Sequence, residues 1–158
     1  MSDANDELIQ RFYSAFARRD GTAMAECYGE NAQFSDPVFI DLRGEEPGAM
    51  WQMLTGRAPD LQVKLVEHHA DGDRGSARWL ADYTFSATGR RVHNDVRAEF
   101  RFEHGLISEH RDSFSLYAWS RQAIGPVGLV LGWTPILQSR LQRTARQSLD
   151  EFLAQSAA

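Results

Sequence analysis

Three consecutive segments in the second half of the chain alternate between apolar and polar residues with a period of two. The segments cover residues 77–87, 91–103 and 106–118. Alternation over this length is typical of antiparallel strands that bury one face of a sheet and expose the other. Turn residues separate the segments at 88–90 and 103–105. We therefore predict an antiparallel sheet with two hairpins.

The register of these strands follows from keeping their apolar side chains on one face, because a slip by one residue would invert a strand. A two-residue turn at Gly89-Arg90 predicts four pairs in the first hairpin: Phe85–Asn94, Tyr83–Val96, Ala81–Ala98 and Trp79–Phe100. A three-residue loop with Gly105 in the left-handed conformation predicts three pairs in the second: Ala98–His110, Val96–Asp112 and Asn94–Phe114. A two-residue loop there would put the two apolar faces out of phase.

The rest of the first 120 residues combines helical and strand-like patterns. Apolar residues at helical spacing predict helices over 3–19, 22–28 and 46–57. Two further segments, 31–36 and 61–70, are strand-like. Helices packed on an antiparallel sheet make an α+β fold.

The C-terminal part of the chain differs in character. Residues 125–133 read as an apolar, glycine-rich loop, after which Thr134 can cap a helix that begins at Pro135 and runs to about residue 154. A lone amphipathic helix gains little stability in water, so its apolar stripe needs a partner: Leu137, Leu141, Ala145, Leu149, Phe152 and Leu153. We divide the chain into a domain over 1–120 and a C-terminal loop and helix over 121–158 that pack on it or on a second subunit.

Composition excludes several classes of protein. The chain has 158 residues, a formal net charge of −5 and Cys27 as its only cysteine, which argues against a nucleic-acid binder and against an internal disulfide. No apolar run reaches the about 18–20 residues that cross a bilayer, and the acidic N-terminus lacks the features of a signal peptide. We expect a cytoplasmic protein with no nucleic-acid or membrane partner. Without metal-ligand spacings or a nucleotide-binding glycine motif, we expect no metal and no cofactor.

Three polar side chains interrupt the apolar face of the predicted sheet: Asn94, His110 and Asp112. Adjacent strands lie about 4.8 Å apart, so these groups can line one cavity. Asp36, held in an extended conformation by Pro37, is a fourth candidate. A buried carboxylate must be paired, solvated within a pocket or neutralised by a raised pKa. Two explanations stay open: a structural hydrogen-bond network, and a pocket that holds acid/base groups.

The order of elements resembles a known fold. An N-terminal helix, a helix pair and a strongly curved antiparallel sheet are similar to the cone-shaped nuclear transport factor 2-like fold over about residues 5–120. That superfamily includes ketosteroid isomerases, limonene epoxide hydrolases and SnoaL-like polyketide cyclases. The Gly-Trp-Thr-Pro sequence at residues 132–135 is similar to the tail of uncharacterised bacterial SnoaL-like proteins.

The first half of the chain is similar to the start of ketosteroid isomerase. The resemblance lies in Gln10-Arg11-Phe12-Tyr13 and in Phe34-Ser35-Asp36-Pro37-Val38. It implies that Asp36 is a catalytic base that moves a proton on a carbon next to a carbonyl. Phe12 and Ala98 stand where those isomerases carry the tyrosine and the protonated acid of their oxyanion hole, so that hole is not carried over.

The last predicted strand is similar to limonene epoxide hydrolase. The resemblance lies in Gly105-Leu106-Ile107 and in His110-Arg111-Asp112-Ser113-Phe114. It implies that Asp112 is one of two catalytic carboxylates. Ala81 and Trp79 stand near the positions of the second carboxylate and its arginine, so this triad is incomplete here.

Two functions follow as expectations. In the first, the chain is a cofactor-free isomerase, hydrolase or cyclase for a small apolar carbonyl or cyclic compound. Asp36 or Asp112 is then the general base, and His110 is a second acid/base or an orienting group. The expected substrate-binding residues are Tyr13, Phe16, Trp79, Tyr83, Asn94, Val96 and Phe114. In the second, the chain is a non-catalytic ligand-binding or dimerisation module. In either case we expect a homodimer through the convex, polar face of the sheet, which carries His93 and Asp95.

Overall fold

The fold is a six-stranded sheet with helices packed on its inner face. A computed structural model describes residues 2–131 and 134–157. The strands are β1 (Tyr28–Ser35), β2 (Leu42–Arg43), β3 (Gln62–Asp71), β4 (Arg74–Phe85), β5 (Arg90–Glu103) and β6 (Leu106–Ser113). Their order in the sheet is β2-β1-β6-β5-β4-β3. Neighbouring strands are antiparallel except for β1 and β6, which are parallel. The predicted α+β class is confirmed.

Six helices complete the described part of the fold. They are α1 (Ser2–Ala17), α2 (Gly21–Ala25), α3 (Glu46–Arg57), α4 (Leu116–Ile124), α5 (Pro126–Leu131) and α6 (Pro135–Ala157). The N-terminal helix buries Ile9 and Phe12 completely in the core against the sheet. Asp20 caps the N-terminus of the short α2, since its side chain accepts a hydrogen bond from the Ala23 amide at 3.0 Å.

In the first hairpin the predicted faces are correct and the predicted register is wrong. Phe85 pairs with Arg90 across a four-residue turn, so Ala81 lies opposite Asn94 and Trp79 lies opposite Val96. Each residue of β4 therefore meets a partner four positions earlier than expected. Four is an even number, so every side chain keeps its face. Apolar alternation determines only whether a shift is odd or even, and the turn decides its size.

For the second hairpin the predicted turn length is wrong, but the residues predicted to face inward do so. Glu103 pairs with Leu106 across a two-residue turn, in which His104 and Gly105 have φ angles of 54° and 76°. An irregularity between Arg101 and Phe102 then shifts the register by one residue. Such a bulge restores the phase that a two-residue turn would otherwise break.

After the bulge, the cross-strand partners on the inner face differ from the predicted ones. His110 lies opposite Phe100 rather than Ala98, and Asp112 lies opposite Ala98 rather than Val96. Phe114 follows the end of β6, so its predicted pairing with Asn94 is also wrong.

The chain after β6 is helical where the sequence predicted a strand and then a loop. The expected strand over 106–118 ends at Ser113, and Ser115 caps α4 by accepting a hydrogen bond from the Ala118 amide at 3.1 Å. Part of the expected glycine-rich loop forms α5, while Gly132 and Trp133 lie outside the described residues. The five residues 114–118 were too few to distinguish a strand-like alternation from helical spacing.

The C-terminal helix packs on the rest of its own chain, which was one of the two predicted partners, the other being a second subunit. The Thr134 hydroxyl accepts a hydrogen bond from the Leu137 amide at 3.4 Å, in the predicted cap. Leu149 is fully buried, and Ala145, Phe152 and Leu153 pack against the main core. Within the described ranges, no helix combines the length and the hydropathy that a membrane span requires.

Candidate functional site

A cavity of about 370 Å³ lies between the inner face of the sheet, α3, α4 and α6. Seven of the ten predicted site residues line it: Phe16, Asp36, Trp79, Tyr83, Asn94, Asp112 and Phe114. The other three, Tyr13, Val96 and His110, are buried outside its lining. The polar residues that interrupt the apolar alternation therefore converge on one cavity, with His110 behind it.

Asp36 enters the cavity from the turn that follows β1. Its Oδ1 accepts hydrogen bonds from the amides of Val38 at 2.7 Å and Phe39 at 2.6 Å, and its own amide donates to the Phe39 carbonyl. Its Oδ2 accepts no hydrogen bond from the described residues. The turn thus holds one carboxylate oxygen and leaves the other available to a ligand.

The Asp36 carboxyl group titrates close to neutral pH. Burial raises its pKa to about 7, the two backbone hydrogen bonds oppose the rise, and the charge of Asp112 adds to it. A carboxyl group with such a pKa can both release and accept a proton near pH 7.

Asp112 reaches the cavity at the end of a buried hydrogen-bond chain. Trp51 Nε1 donates to the Tyr28 hydroxyl at 2.8 Å, and that hydroxyl lies 2.7 Å from His110 Nδ1. His110 Nε2 lies 2.9 Å from Asp112 Oδ1. Because the Tyr28 hydroxyl accepts from Trp51, it can donate its own proton to Nδ1, and Nε2 then donates its proton to Asp112. Oδ2 of Asp112 then remains for the cavity.

Five aromatic rings pack around the His110 imidazole. The ring of Phe100 lies 4.3 Å from the imidazole and that of Phe34 lies 4.9 Å away, measured between centroids. Tyr28 and Trp51 stack on it at 6.0 and 6.3 Å, and Phe12 meets it edge-on at 5.6 Å. Its side chain is 0 % exposed. A ligand in the cavity would therefore contact Asp112, while His110 holds that carboxylate in place.

Tyr28 and Trp51 could not be recognised from the sequence as members of the hydrogen-bond chain that leads to Asp112. Tyr28 was predicted to be the last residue of a helix over 22–28, which was wrong, because α2 ends at Ala25 and Tyr28 begins β1. The pair that it forms with His110 also spans 82 positions of sequence. The available signal was weak, because a tyrosine and a tryptophan on apolar faces most often belong to the core.

Several hydrogen-bond donors face or flank the cavity without an acceptor. The Tyr83 hydroxyl accepts from Trp119 Nε1 at 2.7 Å and keeps its own proton to donate. The side-chain amide of Asn94 has no hydrogen-bond partner among the described residues. Two buried donors, Trp79 Nε1 and the Tyr13 hydroxyl, are also unpartnered in that part of the chain.

The two tyrosines of this group keep their protons. Burial, together with the charge of Asp112, raises the pKa of Tyr13 well above its ordinary value. Burial also raises the pKa of Tyr83, and the charge of Asp36 adds to the rise. At neutral pH both side chains can therefore act as hydrogen-bond donors.

The remaining wall is largely apolar, with one guanidinium in the described lining. Arg57 provides it, at the end of α3. Among the described residues, no three histidine, cysteine or acidic side chains lie close enough together to hold a metal ion. The site therefore presents two carboxylates, several neutral donors and an apolar wall.

These features place the chain in the nuclear transport factor 2-like superfamily, as the order of its elements implied. Within that superfamily it belongs to the SnoaL-like domain family, whose model matches residues 9–110. No curated protein matches the chain in sequence.

Solved structures share the fold at low sequence identity. An LEH-like epoxide hydrolase from M. tuberculosis is 20 % identical, with a TM-score of 0.65 over 86 % of this chain and 96 % of that one. A protein of ketosteroid isomerase-like fold from Catenulispora acidiphila, crystallised with trimethylamine, is 16 % identical, with a TM-score of 0.67 over 82 % and 98 %. TsrD from Streptomyces laurentii is 23 % identical, with a TM-score of 0.65 over 76 % and 94 %. These similarities establish the fold, while the activity depends on the site itself.

Proposed function

We propose that the chain is a cofactor-independent acid–base enzyme, an isomerase, hydrolase or cyclase, for a small apolar carbonyl or cyclic compound. One observation carries the proposal. Two carboxyl groups with different surroundings, Asp36 and Asp112, share a largely apolar cavity. Such a pair can divide the roles of acid and base at one pH.

In this proposal Asp112 is the general base. The hydrogen bond with His110 fixes Oδ1, and Oδ2 takes a proton from the substrate or from an attacking water. Asp36 then returns a proton to the product, because its pKa of about 7 keeps much of it protonated at neutral pH. His110 is a positioning residue.

Neutral donors would hold the oxygen of the substrate. Tyr83 and Asn94 line the same cavity and have protons to donate. They replace the two donors that the resemblance to ketosteroid isomerase does not supply. Phe12 lies in the aromatic shell of His110, and Ala98 lies opposite Asp112. The positions of the two ketosteroid isomerase donors therefore do not predict which residues of this chain would hold the oxygen atom of the substrate.

Isotope incorporation tests the proposal without a known substrate. A panel of cyclic ketones in D₂O and of small epoxides in H₂¹⁸O is incubated with the chain and analysed by mass spectrometry. We expect label in at least one compound, and loss of labelling in Asp112→Asn. The matched control is Asp73→Asn, which changes an exposed aspartate in the β3–β4 turn. Labelling that persists unchanged in Asp112→Asn contradicts the assignment of the base.

A non-catalytic ligand-binding module is the second candidate. It is favoured by the residues Phe12 and Ala98, which stand where the resemblance to ketosteroid isomerase implies the two oxyanion-hole donors and cannot donate a hydrogen bond from their side chains. A compound that binds in the cavity but takes up no label in any panel would support this candidate.

Three further properties belong to the proposal. We place the protein in the cytoplasm, treat residues 121–158 as an extension of the domain over 1–120, and propose a homodimer through the convex face of the sheet. That face carries exposed ion pairs, including Arg78–Asp95 at 2.8 Å. Light scattering on the native chain tests the dimer, and a monomer at micromolar concentration would contradict it.

A further inference from the structure

The C-terminal helix α6 supplies one wall of the cavity, although the family match ends before it, at residue 110. Four of its residues line the cavity: Leu141, Thr144, Ala145 and Ser148. Their spacing of three, four and seven positions places them on one face of the helix. Any ligand in the cavity would thus meet side chains that the family resemblance does not describe.

Contacts within the chain hold this wall in place. Gln142 Nε2 donates a hydrogen bond to the Pro37 carbonyl at 3.1 Å, directly beside Asp36. Arg146 forms an ion pair with Glu46 at the start of α3 and lowers the pKa of that carboxyl group. Leu149, one turn beyond Ala145, is fully buried. The helix is therefore docked on both the Asp36 turn and α3.

The cavity face of α6 combines small side chains with unused hydroxyl groups. The side-chain hydroxyl groups of Thr144 and Ser148 form no hydrogen bond with another described residue, although the backbone of both residues belongs to the helix. Helical serines and threonines often bond to the carbonyl four residues earlier, and Thr55 does so with Trp51 at 2.7 Å. Ser148 is half-buried, so its unpartnered hydroxyl is well placed to bond with a ligand. Ala145 leaves room beside it.

The geometry points to α6 as the element that selects the substrate. Ala145 limits the size of the ligand, and Ser148 pairs with a second hydroxyl or carbonyl group, distant from the reacting function. The inference rests on the proposed function for the reaction, but it concerns binding and can be tested separately. The substrate class is therefore a small apolar compound that carries a second polar group.

Naphthalene and 2-naphthol are suitable probes, because they are neutral and differ by one hydroxyl group. Their dissociation constants are measured by fluorescence titration of the native full-length chain and its variants. We expect Ala145→Phe to weaken the binding of both probes by at least about tenfold, because the phenyl ring occupies the cavity. The matched control is Gln147→Phe, on the exposed face of the same helix. If Ala145→Phe does not fold, Ala145→Leu replaces it. Equal affinities in the native chain and the folded Ala145 variant overturn the role of Ala145.

The hydroxyl preference tests Ser148. We expect the native chain to bind 2-naphthol about three- to tenfold more tightly than naphthalene, as one hydrogen bond allows. Ser148→Ala removes this preference, whereas Ser139→Ala, at an exposed position of α6, retains it. A preference that persists in Ser148→Ala overturns the role of Ser148. Probe binding that follows this pattern without any isotope labelling contradicts the proposed enzyme and leaves the inference intact.

If neither probe binds, a measurement without ligand decides whether α6 covers the cavity. Arg146→Glu places like charges beside Glu46 and Asp150, both within ion-pair distance of Arg146. Arg143→Glu makes the same charge change at an exposed position. The pKa of Asp36, which faces Asp112 and Tyr83, is followed by ¹³C NMR of the carboxyl group in the full chain. We expect a lower pKa in Arg146→Glu alone, because undocking admits water. An unchanged pKa in Arg146→Glu overturns the inference.

Discussion

The sheet carries a histidine–aspartate pair on each of its faces, and the two pairs differ in almost everything except distance. On the outer face His93 Nδ1 lies 2.8 Å from Asp82, with side chains 57 % and 42 % exposed. On the inner face His110 Nε2 lies 2.9 Å from Asp112, with side chains 0 % and 2 % exposed. Water screens the first pair. In the second, aromatic rings replace the water, and a further hydrogen bond orients the imidazole. The same two residue types therefore form a solvated ion pair on one face and part of a candidate site on the other, because only the second pair is buried.

Removing the histidine of each pair provides the largest contrast. We expect His110→Ala to lower the free energy of unfolding by about 3–5 kcal/mol, because it leaves the buried Asp112 and Tyr28 without their partner. His93→Ala is expected to cost less than about 1 kcal/mol. Urea unfolding followed by circular dichroism measures both values. Similar losses for the two variants would show that the inner pair is not buried in solution.

The pH dependence of stability sharpens the contrast between inner and outer carboxyl groups. Burial raises the pKa of Asp36 from 3.8 to about 7, so between these pH values the folded chain binds a proton that the unfolded chain releases. This contribution to stability is present below about pH 4 and is lost as the pH rises to about 7. We expect the loss to be roughly 2–4 kcal/mol, since water in the cavity screens part of it.

Asp36→Asn isolates that contribution. Urea unfolding between pH 4 and pH 8 should show a weaker decline in the variant than in the native chain. Asp82→Asn, on the outer face, is the control and should leave the decline in place. A native chain whose stability rises over this interval while Asp36→Asn behaves identically would contradict the raised pKa.

A smaller effect tests whether the two inner carboxyl groups sense each other. The charge of Asp112 contributes to the raised pKa of Asp36, but burial contributes more. We therefore expect Asp112→Asn to lower the pKa of Asp36 without returning it to its ordinary value. Carboxyl ¹³C NMR gives the value directly, and Asp82→Asn serves as the comparison. No change in Asp112→Asn would mean that the two groups occupy separate environments.

The smallest effect concerns an ion pair on the outer face. Arg78 donates two hydrogen bonds to Asp95, at 3.0 and 2.8 Å, and both side chains are partly exposed. We expect Arg78→Ala to cost less than about 1 kcal/mol at low salt. In 1 M sodium chloride the cost should shrink further, since screening acts within about 3 Å. A salt-independent loss of several kcal/mol would show that this face is covered, as in a dimer.

Local patterning predicted which side chains share a face. The alternation assigned Asn94 and Asp112 to the inside and His93 and Asp95 to the outside, as the structure places them. A strand turns its side chains by half a revolution at each step, so the face of a residue depends only on its neighbours in sequence. The Thr134 cap was predicted for a similar reason, because a helix cap involves residues three positions apart.

Turn lengths and register were predicted less well. The first hairpin has four residues in its turn and the second has two, followed by a bulge. Both arrangements satisfy the alternation equally well, so the alternation could not choose between them. The energies that choose come from side chains packed across the sheet, which the local pattern does not contain.

The sequence by itself determined the fold class and the set of polar residues that point inward, because both follow from periodicity along the chain. The tertiary structure decided what those residues do. The fold places Tyr28 and Trp51 behind His110, and Tyr28 is 82 positions away from the histidine in sequence. These contacts make His110 a support for Asp112 rather than part of the cavity wall. The fold also brings α6 against the Asp36 turn, with Gln142 bonded to Pro37 across 105 positions. Contacts over such separations depend on how the whole chain closes, since loop closure and packing act on all elements together.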